Sequence, residues 1–184
     1  MEDVLRHSIQ QNLPHILFVL LLISRLGDII STRLASPKLL LEANPIARWL
    51  GWPFIYATVL ISFMPYFDIP SAVTILPPFL MVSASNLQKA YVSRLYGEEH
   101  YSQQFHAALA KNGLGGMLLY TLAAGVFVAL LGIALMIIAE AEGAGLSYDF
   151  GMGILLYALV IGGYGSLFYL KKAREMKRSS ILGA

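Results

Sequence analysis

Arg25, Asp28 and several hydroxyl groups lie within an otherwise apolar segment that starts at Ser24 and ends at Arg33. At helical spacing, one face of this segment collects its polar residues, which are Ser24, Arg25, Asp28, Ser31 and Thr32. Arg25 and Asp28 are three residues apart, so they can pair. Ionisable groups in hydrocarbon are costly and usually carry function. We therefore expect a polar pocket in which Asp28 is a ligand, proton carrier or acid/base. The alternative is an internal ion pair that only fixes helix packing.

A second polar element, Glu42-Ala43-Asn44-Pro45, follows ten residues later. If this loop folds back, Glu42 and Asn44 would cap the pocket, and their oxygen atoms suit a hard cation, a metal-bound phosphate or a polyol. Asn44 before Pro45 is also a favoured start for a helix, with Asn as N-cap and Pro at the first helical position. We expect the Asn-Pro half to be mostly that cap and leave the role of Glu42 open.

A third polar element is a stripe at helical spacing between residues 83 and 93, formed by Ser83, Asn86, Lys89 or Ala90, and Ser93. Lys89 is expected to extend its ammonium towards the membrane surface. Asn86 should lie at the depth of Thr32, where it either bonds across helices or coordinates an ion. The candidate ligand or ion-binding residues are therefore Asp28, Thr32, Glu42, Asn44 and Asn86, with Ser24, Arg25, Ser31 and Lys89 in support.

A polar segment, 97–112, contains Glu98, Glu99, His100 and His106. The six-residue spacing of the histidines does not place both on one helix face at i, i+4, as a helical zinc site requires. We expect a solvated amphipathic helix at the membrane interface. A divalent cation is the one cofactor that the residues suggest, and its weak candidate ligands are Asp28, Glu42, His100 and His106.

The elements that must hold these residues are membrane spans. Of the 184 residues 57% are hydrophobic and 13% charged, against about 25% charged in a soluble domain. About 20 apolar residues cross a bilayer. The apolar segments of this chain therefore predict an all-α integral membrane protein of about five spans, at 15–35, 53–66, 70–95, 113–139 and 150–170. One long broken helix over 53–92 is the alternative to two spans there, and Pro77-Pro78 should kink or unwind the third span.

The predicted organisation is a single membrane domain, 1–184. Its parts are a three-span core (15–95), the interfacial segment (97–112), a two-span hairpin (113–170) and a basic tail (171–184). The hairpin has small residues at four-residue spacing, such as Ala158, Gly162 and Ser166. Such spacing lets helices pack closely in lipid, so this hairpin is either scaffold or a face for a homo-oligomer or a membrane-complex partner.

The basic residues predict the orientation. Lys and Arg concentrate at the 36–52 connector, the 97–112 segment and the tail, which places the N-terminus outside and the C-terminus in the cytoplasm of a multi-pass cell-membrane protein. The net charge of +2 does not indicate nucleic acid as a partner. The chain contains no cysteine, which excludes disulfides and thiolate metal sites.

The pattern of Asp28, Thr32, Glu42-x-Asn44-Pro45 and Asn86 resembles a family of small prokaryotic multi-span membrane proteins of unknown function. The resemblance covers residues 15–95. It implies that the three-span unit is the family's core, and it implies no activity.

Three classes of function fit these residues. The first is binding or transport of a small polar solute or cation at an intramembrane site on the cytoplasmic side. The second is a lipid-active membrane enzyme that uses Asp28 or Glu42 as acid/base or metal ligand. The third is a non-catalytic subunit or assembly factor, in which the polar face only docks helices.

Overall fold

The computed structural model describes residues 2–42 and 44–182; the side chains of residues 2–9, 105, 106, 109, 110, 112 and 175–182 lie outside the description. The described chain is helical and contains no strand. Its helices are α1 (Glu2–Ala35), α2 (Pro45–Ala57), a 3₁₀ segment (Thr58–Tyr66), α3 (Ile69–Tyr96), α4 (Glu98–Glu142) and α5 (Gly145–Leu182).

Five helical stretches are long and apolar enough to cross a membrane, as the sequence predicts. They are Gln10–Ala35, Pro45–Tyr66, Ile69–Tyr96, Gly113–Glu142 and Gly145–Arg174. The chain turns at Phe67 and Asp68 between the 3₁₀ segment and α3. The prediction of two spans in this region is therefore confirmed, and the single broken helix is not observed.

The second and third spans differ from the prediction. The second span starts at Pro45 instead of residue 53, because Asn44 caps a helix that continues across a non-helical Gly51 (φ 71°). The connector between the first two spans is thereby shortened to residues 36–44. The third span stays helical through Pro77 and Pro78, so the predicted unwinding does not occur.

The long α4 consists of two helices. Gly113 has φ 73° and ψ 157°, a conformation that glycine adopts without a side-chain clash, and it separates residues 98–112 from the following span. A separate helix over 97–112 was expected from its polarity, and the break at Gly113 agrees with that expectation.

The bundle has two parts, and they meet where α3 packs against α5. The helix α1 packs along α3 and the 3₁₀ segment, and α5 packs against both α3 and α4. One core cluster joins α1 to α3 through Leu17, Leu21, Ala72, Val73 and Leu76. A second cluster joins α1 to the connector and α2 through Ile29, Leu39, Ala47 and Ile55. The polar residues of α1 lie between these clusters.

Small residues of the last two spans are used for packing inside the chain. A Cβ added at Gly132 would lie 2.8 Å from the backbone of Gly151 and Leu155, and one added at Gly153 would lie 2.1 Å from the Thr74 carbonyl oxygen. Glycine therefore lets α5 approach α4 on one side and α3 on the other. Whether another face of these helices binds a partner stays a prediction.

We expect Gly153→Ala to destabilise the protein, because the added methyl group meets a backbone carbonyl that cannot rotate away. Overpacking of this kind costs about 1–3 kcal/mol. Thermal unfolding in detergent measures the effect, and Gly163→Ala is the matched control because no heavy atom lies within 4 Å of its added Cβ. Equal unfolding temperatures for the two variants would contradict the observed α3–α5 packing.

Candidate functional site

The centre of the candidate site is an ion pair within α1. Arg25 Nη1 donates to Asp28 Oδ2 at 2.6 Å, and the two side chains are only 7% and 13% exposed. Their separation by three residues on a helix brings them together, so the predicted pairing is confirmed. Each charge removes part of the cost of burying the other.

The second oxygen of Asp28 is satisfied from α1 and α3 together. Asp28 Oδ1 accepts hydrogen bonds from Asn86 Nδ2 at 3.1 Å and from Thr32 Oγ1 at 3.4 Å. Asn86 Nδ2 also lies 2.9 Å from Thr32 Oγ1. The expectation that Asn86 lies at the depth of Thr32 is confirmed, and of its two suggested roles the structure shows the interhelical hydrogen bond.

Arg25 has two further neighbours that the sequence analysis did not assign to the site. Its Nη2 donates to Thr58 Oγ1, and its guanidinium lies 4.3 Å from the ring centroid of Phe79. A cation over an aromatic face is attracted by the ring quadrupole. Thr58 was recognisable as an isolated hydroxyl in an apolar span, whereas no sequence signal marks Phe79.

The two serines predicted to support the site have other roles. Ser31 Oγ donates to the backbone oxygen of Asp28 at 3.0 Å, so it serves its own helix. Ser24 contributes its carbonyl oxygen, which accepts from Ser83 Oγ at 3.0 Å. Its own hydroxyl is buried and has no hydrogen-bond partner in the described part of the chain.

Polar contacts follow the C-terminal halves of α1 and α3 where the two helices meet. Ser24 meets Ser83, Asp28 meets Asn86, and Ser36 just beyond α1 meets Glu98 just beyond α3. Because both residue numbers rise together, the two helices run parallel. We call this line of contacts the polar seam; it leads from the ion pair to the connector.

Lys89 and Glu42 extend the site towards the connector. Lys89 is half-buried, and both Glu42 and Asp28 act on its ammonium group electrostatically. Lys89 therefore lies in the electrostatic field of two carboxylates, whereas the neighbouring Arg94 is exposed. We call Arg25, Asp28, Thr32, Glu42, Asn86 and Lys89 the polar cluster. It holds two positive and two negative side chains.

The Asn-Pro half of the Glu-Ala-Asn-Pro element starts α2, as expected. Asn44 Oδ1 accepts from the backbone nitrogens of Ile46 at 3.0 Å and Ala47 at 3.4 Å, which is the N-cap of α2. Glu42 Oε1 accepts from Asn44 N at 2.7 Å. The amide oxygen of Asn44 is thus engaged by the helix start, while Glu42 belongs to the polar cluster.

The described contacts of His100, on the 98–112 helix, do not involve this cluster. His100 Nε2 is 3.1 Å from Gln104 Nε2, and its ring packs near Tyr96. The side chain of His106 falls outside the described residues. Within the described residues, no group of three or more His, Asp and Glu side chains is placed to hold a metal ion.

Comparisons of the chain with protein-family models, with curated proteins and with solved structures find no match. The assignment of a function therefore depends on the geometry of the polar cluster alone.

We expect Asp28→Leu to be strongly destabilising, because it leaves the buried Arg25 without its counter-charge. Breaking one partner of a buried pair costs about 3–5 kcal/mol. The double variant Arg25→Met/Asp28→Leu should recover much of this loss, since no unpaired charge remains. Reversible unfolding in mixed micelles measures these two variants and the single variant Arg25→Met. Additive effects of the two substitutions would show that the side chains do not pair.

Proposed function

We propose that this chain is a multi-pass cell-membrane protein that binds or transports a small polar solute or cation at the polar cluster. The observation that carries the proposal is the meeting of Asp28, Thr32 and Asn86 from α1 and α3. Lys89, which is also on α3, lies in the electrostatic field of Asp28 and Glu42. Intramembrane ionisable residues are rare and mark substrate or ion sites. These positions also carry the resemblance to the family with the Asp, Thr, Glu-x-Asn-Pro and Asn pattern.

The proposed orientation places the cluster on the cytoplasmic side. The helices α1 and α3 both end near the connector, and the basic residues Arg33, Lys38 and Arg48 lie there. Since Lys and Arg favour cytoplasmic segments, we place the N-terminus outside and the basic C-terminal tail inside. A solute would then enter the cluster from the cytoplasm.

The charges favour a polar solute over a bare cation. Asp28 is neutralised by Arg25, and Glu42 faces the field of Lys89. A bare cation would have to compete with two fixed positive groups. A molecule that both donates and accepts hydrogen bonds gains from all four charged groups, because carboxylates accept and the guanidinium and ammonium groups only donate.

A helix-docking subunit is the second candidate. It is favoured by the fact that both oxygens of Asp28 already have partners within the chain. In that case the polar cluster fixes α1 against α3, and its buried charges specify which helices pair.

The two candidates differ in what the protein retains on purification. Native mass spectrometry from nanodiscs of defined lipid should show a small-molecule adduct on the wild-type chain. Asn86→Ala should lose the adduct, because it removes the hydrogen bonds to Asp28 and Thr32. The exposed neighbour variant Gln88→Ala is the matched control and should keep it.

An adduct that persists equally in Asn86→Ala would contradict a site at the polar cluster. No adduct on any of the three proteins, together with loss of a co-purifying protein subunit in Asn86→Ala, would favour the docking role instead.

A further inference from the structure

The connector that carries Glu42 has an unusual turn. Leu39 has φ 56°, and it is the one described residue other than glycine with a positive φ. This left-handed conformation is unfavourable for leucine and persists where surrounding contacts impose it. One such contact is the burial of the Leu39 side chain among Ile29, Ala47 and Ile55.

The second contact is the carboxylate of Glu98. Its Oε1 accepts from Leu40 N at 2.9 Å and from Ser36 Oγ, and its Oε2 accepts from Lys38 N at 3.0 Å. Ser36 is buried, and its Oγ in turn accepts from Leu41 N at 3.0 Å. One carboxylate therefore satisfies three donors of the turn, and hydrogen bonds to a charged acceptor are the stronger kind.

The neighbouring Glu99 is bound quite differently. It binds the Lys38 ammonium at 2.6 Å, and both side chains are about two-thirds exposed (66% and 68%). The hydrogen bond and charge of Glu99 raise the pKa of Lys38, and those of Lys38 lower the pKa of Glu99. Exposed pairs of this type contribute little to stability. Two adjacent acids thus differ in whether they hold the connector backbone.

We propose that Glu98 is a positioning residue for the polar cluster: its carboxylate holds the connector turn, and the turn sets where Glu42 lies relative to α3. Glu98 also lies at the first position of α4, two residues after α3 ends. The interfacial helix 98–112 is thereby linked through one side chain to the connector and to the cluster. A positioning role in solute binding rests on the proposed function, whereas the proposed coupling of Glu98 to Lys89 exists with or without a solute.

Two measurements on the full chain in nanodiscs test this link. Hydrogen exchange reads the amides of Lys38 and Leu40, and mass-spectrometric footprinting with an amine-reactive ester reads the accessibility of Lys89. Glu98→Ala should raise the exchange rate of these amides and the modification rate of Lys89 by about tenfold each. The reason is that loss of hydrogen bonds to a charged acceptor raises the population of the open connector about tenfold. Lys111, which is exposed and outside the connector, serves as the internal reference.

Glu99→Ala is the matched control. It should raise the modification of Lys38, which loses its ion pair, and leave Lys89 unchanged. Glu98→Gln keeps one acceptor oxygen and should give an intermediate modification rate at Lys89. If Glu98→Ala lowers global stability, the rate in Glu98→Gln is the one that tests the proposal.

The proposal is overturned if Lys89 is modified at the wild-type rate in both Glu98 variants, or if Glu99→Ala exposes it equally. A change at Lys38 and Leu40 without one at Lys89 would likewise reject it, because Glu98 would then only cap the turn. None of these readouts needs a bound solute, so a failure here is distinct from the absence of an adduct in native mass spectrometry.

Discussion

A carboxylate and a guanidinium remain buried in this bundle because each meets the other and every oxygen of the carboxylate finds a donor. Asp28 binds Arg25 through one oxygen and Asn86 with Thr32 through the other. Arg25 also donates to Thr58 and lies over the ring of Phe79. In a bilayer no water is present to replace these partners. The arrangement of α1, the 3₁₀ segment and α3 is therefore constrained by two charged residues of a single helix.

This constraint explains why the polar seam runs between parallel helices. Parallel neighbours need a long crossover, which the second span provides by returning the chain to its starting side. The seam then continues past the helix ends to Ser36 and Glu98, so the same interface that buries the ion pair also fixes the connector. The last two spans pack against each other through glycines, and α5 packs against α3 through Gly153.

Much of this arrangement follows from sequence periodicity. Five spans, the Arg25–Asp28 pair and the N-cap at Asn44 were predicted because each depends on spacing along one helix or on local backbone chemistry. The interhelical bond of Asn86 was one of two alternatives left open. Thr58, Phe79 and the contact between Ser36 and Glu98 were not predicted. These contacts join residues far apart in sequence, and only the packing of the bundle decides which apolar or hydroxyl side chain meets a charge. The extension of the second span back to Pro45 was missed because Gly51 interrupts a helix that nonetheless continues.

The polar cluster depends on α1 and α3 lying parallel in the register that brings Asp28 to Asn86. Disulfide formation tests it directly, because the chain has no cysteine of its own. A Cβ added at Gly27 lies 3.8 Å from Ser83 Cβ, a separation that suits a disulfide. Gly27→Cys/Ser83→Cys should cross-link on mild oxidation in the membrane, as measured by mass spectrometry of the linked peptides, and Gly27→Cys/Leu87→Cys should not. A cross-link to position 87 without one to position 83 would contradict the register on which the polar cluster depends.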